Sequence, residues 1–198
     1  MTMRNLCGPP PALALKHKTL HNRVPVKAEY INPFLNATMN VFAKTFSVDP
    51  EVREPYIVDD FVRHRWEISG VMVLTGSAIG VVAVRLSRFL SSKLLEKSGL
   101  TARNEEEREN LTSSMVSELV NVISGNAATE LTDYRIKVSV PFVVQGENHS
   151  ISWPDRAPVI GIPFTTSFGP FAVYVSLIDL RSSGGGGGSK SASGAKKR

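Results

Sequence analysis

In the stretch SELVNVISGNAATEL, Ser117 to Leu131, a carboxylate and a carboxamide stand three residues apart, Glu118 and Asn121, with Gly125 one turn later. On a helix that spacing separates the two side chains by about 60° around the axis and about 4.5 Å along it. They are types that make charge-assisted and bifunctional hydrogen bonds to a partner. Gly125 costs about 1 kcal/mol against alanine in a helix interior, a cost that a close-approaching partner would explain. Spacing alone is explained more economically by a solvated face, because Glu-x-x-Asn is a common tetrapeptide and a helix glycine commonly marks packing against another element.

A helical wheel over 107–131 sharpens the choice. Leu111, Met115, Val116, Leu119, Val120, Val122, Ile123 and Ala127 fall on one half of the wheel, the expected core face. Ser114, Ser117, Glu118, Asn121 and Gly125 form a polar stripe of small residues around the Glu/Asn pair. Asn126 projects into the apolar arc, where a buried structural hydrogen bond is expected.

Other chemistries lack their residues. His17, His21, His64 and His149 are scattered without ligand spacing, and Cys7 is the single cysteine, so no metal site is expected. A lone thiol in the amino-terminal tail fits a reducing compartment. There is no GxSxG elbow and no dinucleotide glycine pattern. The run GGGGGSKS misses a P-loop, because Ser189 precedes Lys190 where that motif needs glycine.

Several elements must position the stripe. Asn32-Pro33 reads as an N-cap and first-turn proline for a helix to about Phe46. EPYIVDDF holds a short strand. Arg65–Leu74 and Ala78–Leu86 read as a hairpin turning near Gly76-Ser77 rather than a membrane span, since the run is short and carries glycines and β-branched residues. Ser87–Lys97 is a short helix closed by Ser98-Gly99, and Asn104 caps the long helix. RIKVSVPFVV, PVIGIPFTTS and FAVYVSLI read as strands, with turns at Gln145–His149 and Gly169-Pro170. The order predicts an α/β (α+β) sandwich, a mostly antiparallel sheet with helices packed on it.

The formal charge of +5 is unevenly placed. Residues 1–28 carry Arg4, Lys16, Lys18, Arg23 and Lys27, and residues 182–198 carry Lys190, Lys196, Lys197 and Arg198, so 29–181 sits at +5 − 5 − 4 = −4. The basic excess belongs to an expected disordered lead-in (1–28) and a flexible Gly/Ser-rich tail (182–198), which argues against nucleic-acid or membrane binding by the folded body at 29–181.

EYINPFLNATMNVF, ISGVMVLTGSAIGVVAV, ELVNVISGNA and PVIGIPFTTSFGPFAVYVSL together resemble the CheX branch of the CheC/CheX/FliY family, over about residues 30 to 180. The most specific piece is ExxNxxxGNA, met by Glu118, Asn121, Gly125, Asn126 and Ala127. Ala37 stands where a second motif would need a glutamate three residues before Asn40, so one intact motif remains, the CheX pattern.

The resemblance implies a phosphatase acting on the aspartyl phosphate of a CheY-type response regulator. Asn121 would position the attacking water and Glu118 would pair with a lysine of the regulator. Ser114, Ser117, Glu118, Asn121 and Gly125 would form the partner-binding stripe. No cofactor of its own is implied, with Mg²⁺ on the regulator. The resemblance further implies a cytoplasmic homodimer joined at sheet edges, through the VYVSLI or RIKVSVPFVV strand. The alternative within the same fold is a non-catalytic regulator-binding or scaffolding module.

Overall fold

The computed structural model describes residues 28–58, 66–147 and 149–181. Apart from Ala28, the expected lead-in and tail lie outside the described residues, as does part of the EPYIVDDF stretch. Helix α1 spans Ala28–Val41 and passes into a π-helical turn at Phe42–Phe46. Short strands follow, β1 (Glu51–Val52) and β2 (Tyr56–Ile57), then the hairpin β3 (Ile68–Gly76) and β4 (Ala78–Leu86). Helices α2 (Arg88–Lys97) and α3 (Glu105–Glu130) precede β5 (Ile136–Val138), β6 (Phe142–Gln145), β7 (Ile160–Thr166) and β8 (Gly169–Asp179).

All pairings are antiparallel, in the order β1-β7-β8-β4-β3-β5, with β2 also on β7 and β6 also on β3. Strand alternation divides the sheet into two faces. Met72, Leu74, Val82, Val84, Leu86, Val173 and Phe171 point to the helices and are buried. On that face Gly70 lets α3 approach: a Cβ there would stand 2.9 Å from Val116 Cγ1 and 3.0 Å from Val116 O. Phe42 stacks on Phe171 at 4.3 Å, and Phe171 on Phe164 at 4.8 Å, which anchors the π turn on the sheet. The opposite face carries a buried Arg85, whose Nε donates to Ser69 Oγ (3.1 Å) and Nη2 to the His149 carbonyl (3.3 Å). Its burial lowers the guanidinium pKa.

The hairpin, the short helix and the caps of α2 and α3 stand as expected. Gly76 adopts φ +121° at the turn. Ser87 Oγ accepts from Leu90 N, and Asn104 Oδ1 accepts from Glu107 N at 2.8 Å. No helix among the described residues is long and apolar enough to cross a membrane.

Four expectations change. First, α1 already includes Ala28, five residues before Pro33, which lies inside the helix. Tertiary contacts hold the early turn: Ile31 is buried, the Tyr30 and Tyr134 rings meet edge-on at 5.7 Å, and their hydroxyls lie 2.6 Å apart. Second, RIKVSVPFVV is two strands on one edge of β3, because Pro141 lacks the donor that a continuous ladder needs. Third, the last turn falls at Ser167-Phe168, tightened by Thr166 Oγ1 against Gly169 O (2.8 Å), so that Gly169-Pro170 opens β8. Fourth, the VYVSLI segment is an edge only in part: Val173–Val175 are paired on both sides, by β7 and β4, whereas Ser176–Ile178 pair with β4 alone.

Candidate functional site

Helix α3 runs over the sheet with one face buried and the other toward solvent. Its buried residues are Thr112, Met115, Val116, Leu119, Val120, Ile123, Ser124 and Ala127. The buried arc is therefore rotated by about 40° from the apolar half of the wheel. Leu111 and Val122 move to its rim, while Thr112 and Ser124 enter it. Side-chain polarity alone centres the arc wrongly, because the sheet beneath and α1 beside it decide which residues are covered.

That rotation places the midpoint of the Glu118, Asn121 and Gly125 stripe almost opposite the core. Glu118 and Ser114 are exposed, and Ser117, Asn121 and Gly125 are half-buried. Asn121 Nδ2 donates to Glu118 Oε2 at 3.5 Å, a long contact that turns the amide NH₂ toward the carboxylate. Ser114 Oγ bonds back to the Asn110 carbonyl at 3.0 Å and so stays close to its own helix. A Cβ placed on Gly125 would meet nothing within 4 Å. No packing contact among the described residues calls for glycine there, in contrast to Gly70.

Asn126 is not the buried structural amide expected. It is exposed, and it lines an open cleft of about 300 Å³ between α1 with its π turn and α3. Ala37, Val41 and Val122 contribute apolar lining, and Asn40, Lys44, Thr45, Asn126, Thr129 and Glu130 the polar lining. The helices are tied by Asn36 Nδ2 donating to Glu130 Oε2 at 3.4 Å. Sequence reasoning missed this cleft; the π turn that shapes it leaves no readable pattern in FAKTF. Ala37 is buried between the helices, so Asn40 has no carboxylate companion there. Among the described residues no group of three or more His, Cys, Asp or Glu could hold a metal ion.

A model of the family described as chemotaxis phosphatase CheX matches residues 68–165, from β3 into β7 and including all of α3. Among solved structures, CheX from Desulfovibrio desulfuricans superposes with TM-score 0.68 at 28% identity, covering 76% of this chain and 99% of that one. CheX from Vibrio vulnificus gives 0.67 at 24%, over 76% and 99%. A CheX from Borrelia burgdorferi, solved as a CheX–CheY–BeF₃–Mg²⁺ complex, gives 0.65 at 22%, over 75% and 97%. A search of curated proteins finds no match. Family model and fold agree, and the chain is CheX-like: residues 68–165 match the CheX family and the fold is that of CheX structures.

Proposed function

We propose that this chain hydrolyses the aspartyl phosphate of a CheY-type response regulator by laying the outward stripe of α3 into the regulator's phosphorylation pocket. The match of residues 68–165 to a family of chemotaxis phosphatases supports the hydrolytic class. The Borrelia complex supports a CheY-like partner. The observation that carries the reading is the outward Glu118–Asn121 pair beside a glycine with no internal use for its missing side chain.

In this reading the Asn121 carbonyl oxygen accepts a hydrogen bond from water and aims it in line with the phosphorus–oxygen bond. A bond forms from water oxygen to phosphorus as the bond to the aspartyl oxygen breaks. The regulator recovers its carboxylate, inorganic phosphate leaves, and the water proton passes to phosphoryl oxygen. The carboxamide takes up no proton at any stage. The Glu118 carboxylate pairs with a lysine of the regulator and sets the register of the helix. Ser114, Ser117 and Gly125 keep the surface low enough for the approach. Mg²⁺ belongs to the regulator, where carboxylates and the phosphoryl group hold it. A cytoplasmic homodimer joined along the β5–β6 edge belongs to the same reading.

The test is phosphate release from CheY-type regulators phosphorylated with acetyl phosphate. Asn121→Ala is expected to lower the turnover number by about 100-fold or more with the melting temperature unchanged. Retention of the wild-type rate removes Asn121 from its role. Glu118→Lys is expected to weaken capture of a beryllofluoride-loaded regulator as well. A wild-type chain that binds the regulator without releasing phosphate establishes the docking module instead.

A further inference from the structure

The outward stripe of α3 is too narrow to be a complete docking surface. A helix with its side chains is about 10–12 Å wide, whereas a stable protein–protein contact covers about 800 Å² on each partner, a patch about 30 Å across. Any regulator seated on Asn121 must also rest on whatever flanks α3. Beside Ser113 the flank is closed, because Gln145 of β6 reaches over to donate to Ser113 Oγ and to the Glu109 carbonyl. The opposite flank is open: Val122 and Asn126, the residues next after Asn121 and Gly125, turn into the α1/α3 cleft.

The far wall of that cleft is built unusually. Phe42 and Phe46 are buried, with Phe42 stacked on the sheet, so the π turn between them is held firmly. It ends at Ser47, a non-glycine residue with φ 53°, a left-handed conformation that costs about 1 kcal/mol or more. Lys44 and Thr45 of this turn line the cleft, both exposed. Lys44 is the single cation among its lining residues and forms no ion pair among the described residues. Glu130, at another part of the lining, is tied to Asn36.

We propose that this cleft is the second half of the regulator-docking surface, with Lys44 as its specificity-determining residue receiving an acidic loop from the rim of the regulator's phosphorylation pocket. The inference rests on the phosphatase reading for the identity of the partner. The charge match follows from the partner's chemistry: a pocket that holds Mg²⁺ beside a phosphoryl group is ringed by carboxylates. Asn40 and Asn126 offer amides on opposite walls, able to pair with main chain of the same loop. Asn121 then decides turnover, and the cleft decides which regulator is held.

Kinetics with a purified CheY-type regulator phosphorylated by acetyl phosphate separate the two roles. Lys44→Glu is expected to raise KM about tenfold at low ionic strength while kcat moves less than about twofold, and to flatten the salt dependence of KM. Lys44→Arg keeps the charge and is expected to hold KM within about twofold of wild type. An unchanged KM in a normally melting Lys44→Glu protein, alongside an inactive Asn121→Ala protein, overturns the cleft while leaving the phosphatase reading in place. Equilibrium binding to the beryllofluoride-loaded regulator reads the cleft without turnover. Weakened binding by Lys44→Glu, with a wild type that releases no phosphate, retains the docking surface and ends the phosphatase reading.

Discussion

Helices α1 and α3 lie side by side and each carries an asparagine three residues after a position that could bear a carboxylate. On α3 the pair is Glu118 and Asn121, on the solvent side and in contact with each other. On α1 it is Ala37 and Asn40, with Ala37 1% exposed against the neighbouring helix. The spacing is the same; the rotation is not. α1 uses the Ala37 side of its surface for packing, so a carboxylate there would meet the helix interface instead of a partner. The glycines make the same point. Gly70 is required by α3 sitting on β3, whereas Gly125 stands in open space. One residue type serves the fold at the first position and meets no neighbour at the second.

The comparison can be broken in several ways. The largest effect is expected from Asn121→Ala, described above. Ala37→Glu, which writes the missing carboxylate into α1, is expected to create no second site and to destabilise the fold by about 2–3 kcal/mol, because the charge enters an apolar helix contact. Urea unfolding measures this. A stable variant with added phosphatase activity would show that α1 is turned differently.

The two glycines should diverge next. Gly70→Ala is expected to cost about 1–3 kcal/mol through overpacking against Val116 and Val120. Gly125→Ala is expected to stabilise the isolated chain by up to about 1 kcal/mol and to weaken regulator capture. Matched losses of stability at both positions would refute the contrast.

The smallest effect is at the start of α1. Asp179 Oδ2 lies 3.1 Å from the hydroxyl of Tyr134, the residue that contacts Tyr30, and its carboxylate is gripped by Arg181. The side-chain hydrogen bond from Arg181 holds the Asp179 pKa down to about 2, from an ordinary 3.8. A depressed carboxylate stabilises the fold fully above its unfolded value and loses that contribution as pH falls from there through about 2. Thermal melting between pH 5 and 2 should therefore show a slightly shallower decline in Asp179→Asn than in wild type. Parallel melting curves would remove the Asp179 contribution.

Much of this was legible in the residues. The hairpin followed from two β-branched runs around Gly76-Ser77, and the helix starts from Ser87 and Asn104, because these signals act within a few residues of themselves. The Glu118–Asn121 pair was legible for the same reason: i,i+3 spacing sets a shared face wherever the helix lies. The residue-level errors share another origin. The wheel puts Asn126 in the core and gives Ser124 no role, since it knows the period of a helix but neither its rotation against its neighbours, which buries Ser124, nor where those neighbours leave a gap, as the α1/α3 cleft does at Asn126. Pro33 reads as a start because the aromatic contact that carries α1 further back comes from Tyr134, about a hundred residues away. VYVSLI reads as an edge throughout, whereas only Ser176–Ile178 are unpaired by β7, because strand order and register are properties of the assembled sheet.

The sequence by itself determined most of the elements, the caps of α2 and α3 and the single intact motif, all consequences of short-range sterics and hydrogen bonding. Only the tertiary structure decided which way α3 faces, that Gly125 has no internal neighbour, and that a π turn opens a cleft beside Asn121. Those depend on packing between segments far apart in the chain, where the area buried against the sheet outweighs the local preference of any one residue.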